Sequence, residues 1–415
     1  MVATRAGASS RPGVGGLKEF APTARPGSVA VQFAPRANSV NALRLALAGL
    51  VLLSHTLTLA GGREPLGELT GGVVDLGTVA VDGFFALSGF LIARSFVTSP
   101  SVGRFLWRRA LRILPGFWVC LVVSVVVILP VAHLLEYGTL VGYPLTGPDS
   151  VLGYLVTNAG LYIDQFTVRG LYDGSAVNGS LYTLFYEFAC YLGVAVAGVL
   201  GLVHRRRAVM LAVGAVLTAV AAADVLTAGA FTGDSVVRWL FLRLGLMFVA
   251  GVVLYQWADR IPLRGAGAGA AAALLAGALA AASAFGQDPQ SRAAYLALAP
   301  AAVAYLILYL GARPGLRRVG ARRDLSYGLY IYAWPVQVTL LLVGAAQWPV
   351  VVYLTTATVI SLGMAWLSWI AVEQPALGLK SWTPSLLTRK EDGRASTRSA
   401  APTERRRISS RRVPD

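Results

Sequence analysis

Charged residues are scarce in this sequence, and cysteine and histidine are scarcer still. Only 13% of the 415 residues are charged, about half the share that is usual in soluble domains. The two cysteines, Cys120 and Cys190, both lie in apolar segments, which excludes a disulfide framework or a cysteine-rich metal cluster. With three histidines in the chain, few side chains could act as a base near neutral pH without a large change in pKa.

Apolar residues make up 56% of the chain and recur in long runs. Each run of about 20 residues can cross a hydrocarbon core about 30 Å thick. The sequence therefore predicts an all-α integral membrane protein, a bundle of about ten transmembrane helices. The expected spans lie near 42–60, 76–97, 110–132, 181–203, 209–229, 236–256, 265–285, 293–311, 325–344 and 349–371.

The net charge of +16 is concentrated in the two tails and in alternate short loops. This distribution is typical of a multi-pass membrane protein, and it argues against nucleic acid as a partner. The alternation predicts an even number of spans with both termini in the cytoplasm. Residues 1–37 and 381–415 are expected to be disordered basic segments that could rest on the lipid bilayer, flanking a membrane domain at 38–380.

Arg44 and His55 lie within or beside the first predicted span, where ionisable groups are costly. Their separation of eleven residues corresponds to about 1100° of helix, only about 20° more than three full turns. Both side chains are therefore expected on one helical face. An imidazole there could act as a general base; the alternatives are an arginine that reaches the interface and a histidine that only makes hydrogen bonds.

Asp82 in the second span is expected at a depth similar to that of His55. It could orient the imidazole and stabilise its protonated form, or it could be an interfacial carboxylate paired with any nearby base. Gly83 and Gly89 in the same helix are expected to permit close helix packing.

A group of arginines, Arg108, Arg109 and Arg112, precedes the third apolar run. Arg109 and Arg112 are three residues apart on one helical face and could form a forked site for phosphate. Their expected position at the cytoplasmic surface suggests a soluble, phosphate-bearing ligand. The alternative is that they only set the orientation of the helix.

Glu187 begins the fourth span together with Tyr182 and Tyr186, and Tyr330 lies in the ninth. Carboxylate and hydroxyl groups beside aromatic faces suit a polyhydroxylated acceptor. Aromatic residues also gather at membrane interfaces without any such role. Glu373, near the end of the last span, is expected to pair with basic loops.

Six short motifs, in order over residues 38–380, resemble those of the membrane-bound acyltransferase-3 family. Members are bacterial integral-membrane O-acyltransferases that modify surface sugars, peptidoglycan-like polymers or macrolides. Two positions depart from the family pattern: Tyr182 replaces a frequent tryptophan, and Ala333 stands where many members have a histidine. The motifs are Arg44 with His55, Val81–Ile92, Arg109 with Arg112, Tyr182–Glu187, Ser326–Pro335 and Val372–Pro375.

The resemblance implies an acyl-CoA donor, with acetyl-CoA the first candidate, that arrives from the cytoplasm, and it requires no metal. It implies that the arginine group binds the donor phosphates, that Arg44 guides the pantetheine arm, and that His55 takes a proton from the acceptor hydroxyl. Asp82 would orient His55, and Glu187 would hold a glycan, lipid-linked sugar or macrolide on the external side. A non-enzymatic transporter of a glycolipid or small solute is the alternative.

Overall fold

A computed structural model of the protein describes residues 20, 23–33, 38–99, 101–227, 234–285 and 288–382, and within these ranges it contains helices and no strands. The all-α prediction is confirmed. Ten long helices form the bundle, and six of them are α1 (Val40–Gly61), α2 (Leu76–Val97), α3 (Val102–Val123), α4 (Tyr182–Val199), α5 (Arg207–Thr227) and α6 (Asp234–Gln256). The other four are α7 (Gly265–Phe285), α8 (Pro289–Gly311), α9 (Ser326–Leu341) and α10 (Val350–Ser368).

Nine helical segments in the described part of the chain are long and apolar enough to cross a membrane. They coincide with nine of the ten predicted spans. The exception is α9, which has only 16 residues. Two segments are longer than predicted, because α3 continues through one π-helical turn to Tyr137, and α10 continues through another to Ser381.

The helices that carry the predicted site residues lie at the centre of the bundle. In α9, 12 of the 16 residues are buried, and α2 is buried along most of its length. Helix α6 packs along α2, and α9 packs against α1 and α10. By contrast, α7 buries only four residues, all alanines, so it lies at the periphery.

The loop between α3 and α4 folds onto one end of α9. Trp334 donates a hydrogen bond from Nε1 to the Ala176 carbonyl (2.8 Å), and Asn178 donates to the Ile331 carbonyl (2.8 Å). Tyr172 and Thr339 are joined through their hydroxyls at 3.0 Å. The loop is therefore held against α9, the central helix, by hydrogen bonds.

Part of the predicted N-terminal arm is packed rather than disordered. Val29, Ala30 and Phe33 are buried, and the amide of Val29 donates to the Ile261 carbonyl (2.9 Å). Burial of these apolar side chains offsets the entropy of ordering a short segment. Residues 1–19 and 383–415, where the rest of the disorder was expected, lie outside the described residues.

Candidate active site

A basic cavity of about 330 Å³ lies between the first turns of α3 and the end of α10. Five cationic side chains line it, whereas only two acidic ones do. The cations are Arg44, Arg108, Arg109, Arg112 and Lys380, and the acids are Glu187 and Asp324. The predicted arginine group therefore meets Arg44 at one site with an excess of positive charge.

Asp324 holds two of these arginines in place. One of its carboxylate oxygens, Oδ2, lies 3.2 Å from Nη1 of Arg44 and also forms a short ion pair with Arg112. Burial of Asp324 raises the pKa of its carboxyl, but the two guanidinium charges outweigh this and hold the pKa below its usual range. Nη1 of Arg112 also lies 3.7 Å from Oε2 of Glu373. Glu373 was expected to pair with basic loops, and its partner here is a basic residue of α3.

Arg108 and Arg109 are the arginines whose charge remains available. The described residues provide no ion pair for either one, and the buried Nε of each has no hydrogen-bond partner. The Arg109 guanidinium lies 6.0 Å from the ring centre of Tyr191. These two residues, rather than the predicted pair of Arg109 and Arg112, line the basic cavity without a carboxylate in ion-pair contact.

Glu187 stands where the basic cavity meets a narrow passage of about 50 Å³. Its Oε1 accepts hydrogen bonds from the hydroxyls of Ser88 (2.9 Å) and Tyr191 (2.5 Å). Arg44 lines the same two spaces. Glu187, which was expected beside the acceptor, therefore lies beside the arginines as well as at the passage.

The passage leads between α2, α4 and α9 to a third cavity, of about 110 Å³, which contains His55. Val81 and Tyr330 line both spaces. The Tyr330 hydroxyl is fixed by Thr183 at 2.7 Å. Because neighbouring cavities share lining residues, the three lie side by side between the arginines and the imidazole.

In the third cavity, His55 meets Asp75, Tyr182 and Arg243. The imidazole packs edge-on against Trp334, with ring centres 4.7 Å apart, and its buried Nδ1 has no hydrogen-bond partner. Asp75 caps the start of α2 by accepting from the Thr78 amide. The cavity thus combines an imidazole, a carboxylate, hydroxyls and one cationic side chain.

The expected contact between Asp82 and His55 does not occur. Asp82 is fully buried, with Oδ1 at 3.0 Å from Nε of Arg243, and Oδ2 accepts a hydrogen bond from Tyr295 (2.8 Å). A buried carboxylate is stable only with close partners, and α6 and α8 supply them. Asp82 therefore contacts Arg243, which lines the cavity, rather than His55.

Tyr186 does not line any of the three cavities. Its ring packs against those of Tyr182, Phe185 and Phe241, with centres 5.5–6.3 Å apart. The predicted contact of Tyr186 with substrate is therefore replaced by a packing role. Tyr182 and Tyr330 do reach the cavity that contains His55.

Three residues of the site carried signals that the sequence interpretation did not use. Asp324 is an acidic residue directly after two arginines, Arg243 is a charged residue inside a predicted span, and Tyr191 is one helical turn from Glu187. Each is an ionisable or polar group in a costly position. Among the described residues, no group of three or more His, Cys, Asp or Glu side chains could hold a metal ion.

Comparison with known proteins indicates the family to which the chain belongs. Residues 37–372 match the family model described as Acyltransferase domain. Nodulation protein 10 of Rhizobium leguminosarum bv. viciae is 28% identical over 85% of this chain and 96% of its own length. An O-acetyl transferase of Shigella phage Sf6 is 27% identical over 73% of this chain and 85% of its own. No solved structure matches. The family match covers most of the chain, which therefore belongs to the acyltransferase-3 family and is an acyltransferase.

Proposed function

We propose that the protein transfers an acyl group, with acetyl the first candidate, from cytoplasmic acyl-CoA to a hydroxyl of a sugar, surface glycan or glycosylated metabolite. The observation that carries the proposal is the series of three neighbouring cavities that lies between the arginine group and His55. Such a series suits a long donor with anionic phosphates at one end and a reactive thioester at the other.

The donor phosphates bind in the basic cavity, against Arg108 and Arg109. Guanidinium groups bind phosphate through paired N–H donors, and Nε of each of these two has no hydrogen-bond partner. Arg44 and Arg112 contribute charge while Asp324 keeps them in position. Glu187 and Arg44 at the entrance to the passage then offer an acceptor and a donor for the amides of the pantetheine arm.

His55 takes a proton from the acceptor hydroxyl as its oxygen attacks the thioester carbonyl, and the proton later passes to the leaving thiolate. An imidazole is suited to both steps near neutral pH. A transient acyl-histidine fits the same geometry. Tyr182 and Tyr330 supply an aromatic face and hydroxyls to the acceptor. The name of the phage relative, O-acetyl transferase, supports transfer of an acetyl group to oxygen.

We further propose that the arginine end of the cavity series faces the cytoplasm of a bacterial-type cell, with both termini on that side of the plasma membrane. Arg108, Asp324 and Lys380 all lie within or beside basic segments, which remain inside during membrane insertion. The acceptor would then approach His55 from the opposite side or from within the bilayer.

The test measures acetyl-CoA binding and thiol release by the purified full-length protein in detergent. For the double variant Arg108→Gln/Arg109→Gln we expect binding at least about tenfold weaker, because one charge-assisted hydrogen bond contributes about 1.5–3 kcal/mol. For His55→Gln we expect binding within about threefold of wild type and thiol release about 10²–10⁴ times slower.

Arg104→Gln is the matched control, because Arg104 is on α3 but does not line the basic cavity. It should bind acetyl-CoA as the wild type does. If folded wild-type protein bound no acyl-CoA of any chain length, the donor assignment would be wrong and a transporter would become the first hypothesis. If His55→Gln retained full thiol release, the proposed base would be wrong.

A further inference from the structure

Arg243 is a charged residue in the middle of α6, in a segment long and apolar enough to span the membrane. It is only 5% exposed, yet it lines the cavity that contains His55. A guanidinium in such a place is costly unless it has partners or a function. Arg243 has an ion-pair partner on one side and lines a cavity on the other.

Asp82 and Tyr295 fix one side of Arg243. Nε of Arg243 lies 3.0 Å from Oδ1 of Asp82, and Tyr295 in turn donates to Oδ2 (2.8 Å). Helices α2, α6 and α8 therefore determine the position of the guanidinium together. A group held in this way does not need to reorganise during a reaction, which is the condition for strong electrostatic stabilisation of a transition state.

The other side of Arg243 faces the cavity. The side chain lines the same small cavity as His55, Asp75, Tyr182 and Tyr330, and its ion pair with Asp82 uses only Nε. A guanidinium has five N–H donors and no acceptor. The terminal N–H groups therefore suit an oxygen acceptor, and they interact most strongly with one that becomes anionic.

We propose that Arg243 is a catalytic residue whose terminal N–H groups stabilise the oxyanion formed during acyl transfer; this inference rests on the proposed function. The acceptor oxygen forms a bond to the thioester carbon as His55 takes its proton, and the carbonyl oxygen becomes negative. Arg243 donates to that oxygen. The oxyanion then collapses, the carbon–sulfur bond breaks, and the proton on His55 passes to the CoA thiolate, giving an ester and free CoA.

The first test compares Arg243→Lys with wild type in steady-state release of thiol from acetyl-CoA, with water as the acceptor. Lysine retains the charge opposite Asp82 but lacks the fork of donors. We expect kcat to fall about 10²–10³-fold, as for loss of one oxyanion donor, with KM for acetyl-CoA within about threefold. Arg238→Lys is the matched control, because Arg238 is on α6 but pairs with Asp224 away from the cavity.

The second test uses Arg243→Ala with added guanidinium chloride at millimolar concentration. A purely structural arginine would give a misfolded variant, seen as a lower thermal midpoint and early elution in size exclusion, without rescue. We expect a folded variant whose kcat rises at least about tenfold with guanidinium and not with sodium chloride, because the small cation occupies the vacated cavity.

Three results would overturn the role of Arg243: unchanged kcat in Arg243→Lys, a change confined to KM, or loss of activity in proportion to loss of folded protein without rescue. If the wild type were active and any of these results were obtained, only the role of Arg243 would be disproved. A folded wild type that transfers no acyl group from any acyl-CoA would instead sink the proposed function, and the role of Arg243 with it.

Discussion

Asp324 is the residue on which the arrangement of cations in the basic cavity depends, because it is shared by Arg44 and Arg112. Replacing it with asparagine leaves two guanidinium groups close together without that counter-charge. Removing one partner of a buried ion pair costs about 3–5 kcal/mol, so we expect the thermal unfolding midpoint of Asp324→Asn to fall by several degrees. Asp288→Asn, at an exposed helix start without a side-chain hydrogen bond, should leave the midpoint unchanged.

The stabilisation by Asp324 should also have a defined pH dependence. Its folded-state pKa is held below the ordinary value because the Arg44 and Arg112 charges outweigh the effect of burial. The contribution is therefore fully present above the unfolded-state pKa of about 4 and is lost as the pH falls through the folded-state pKa. The difference in unfolding free energy between wild type and Asp324→Asn should be constant from about pH 5 to 8. A decline within that range would contradict the pairing.

For individual residues, the sequence predicted membership of the site more accurately than it predicted the contacts that each residue makes. Arg44 and His55 were expected on one face of α1, and both line the neighbouring cavities. Asp82 was assigned to His55 from depth alone. Its partner, Arg243, lies in another helix, and the spacing of residues within one helix carries no information about which distant helix packs beside it.

At the scale of elements, the close approach of α2 and α6 positions Asp82 against Arg243. A Cβ added at Gly89 would lie 1.9 Å from the Phe248 carbonyl oxygen, and one at Gly251 would lie 2.0 Å from that of Ala86. Both contacts are with backbone, which cannot rotate away. The small residue expected at Gly89 is thus confirmed as a packing requirement, and Gly251 is its counterpart on α6.

We therefore expect Gly251→Ala to force the two helices apart, at a cost of about 1–3 kcal/mol for overpacking. Gly245→Ala is the control on the same helix, because nothing lies within 4 Å of its added Cβ; it should be neutral or slightly stabilising, since alanine favours helix. The test compares the thermal unfolding midpoints of the two variants in the same detergent. Equal midpoints would show that α2 and α6 can adjust their separation freely.

Helix positions were predictable because apolar length is a local property of the sequence, and nine predicted spans coincide with helices long enough to cross. The ends of α3 were missed because the helix begins in a charged segment, 102–109, and continues past the apolar run through His133 and Glu136 to Tyr137. The packing of Val29–Gln32 was also missed, since four residues are too few to give a periodic signal.

For the whole molecule, the number of membrane crossings depends on whether α9 spans the bilayer. Its 16 residues span about 24 Å, less than the hydrocarbon thickness of about 30 Å. Because most of α9 contacts protein rather than lipid, its length need not match the bilayer. The basic segment before α9 and the uncharged turn after it, at 344–348, would then lie on opposite sides of the membrane, as the alternation of charge predicts.

Single cysteines on either side of α9 test this crossing. Gly315 and Ala346 are both exposed, so Gly315→Cys and Ala346→Cys should react equally with maleimide in detergent. In intact cells, a membrane-impermeant maleimide should label Ala346→Cys and spare Gly315→Cys, with unaltered protein as background because its own cysteines lie within helices. Labelling of both sites or of neither in intact cells would mean that α9 does not cross. The number of spans would then be odd, and the two termini could not share the cytoplasmic side.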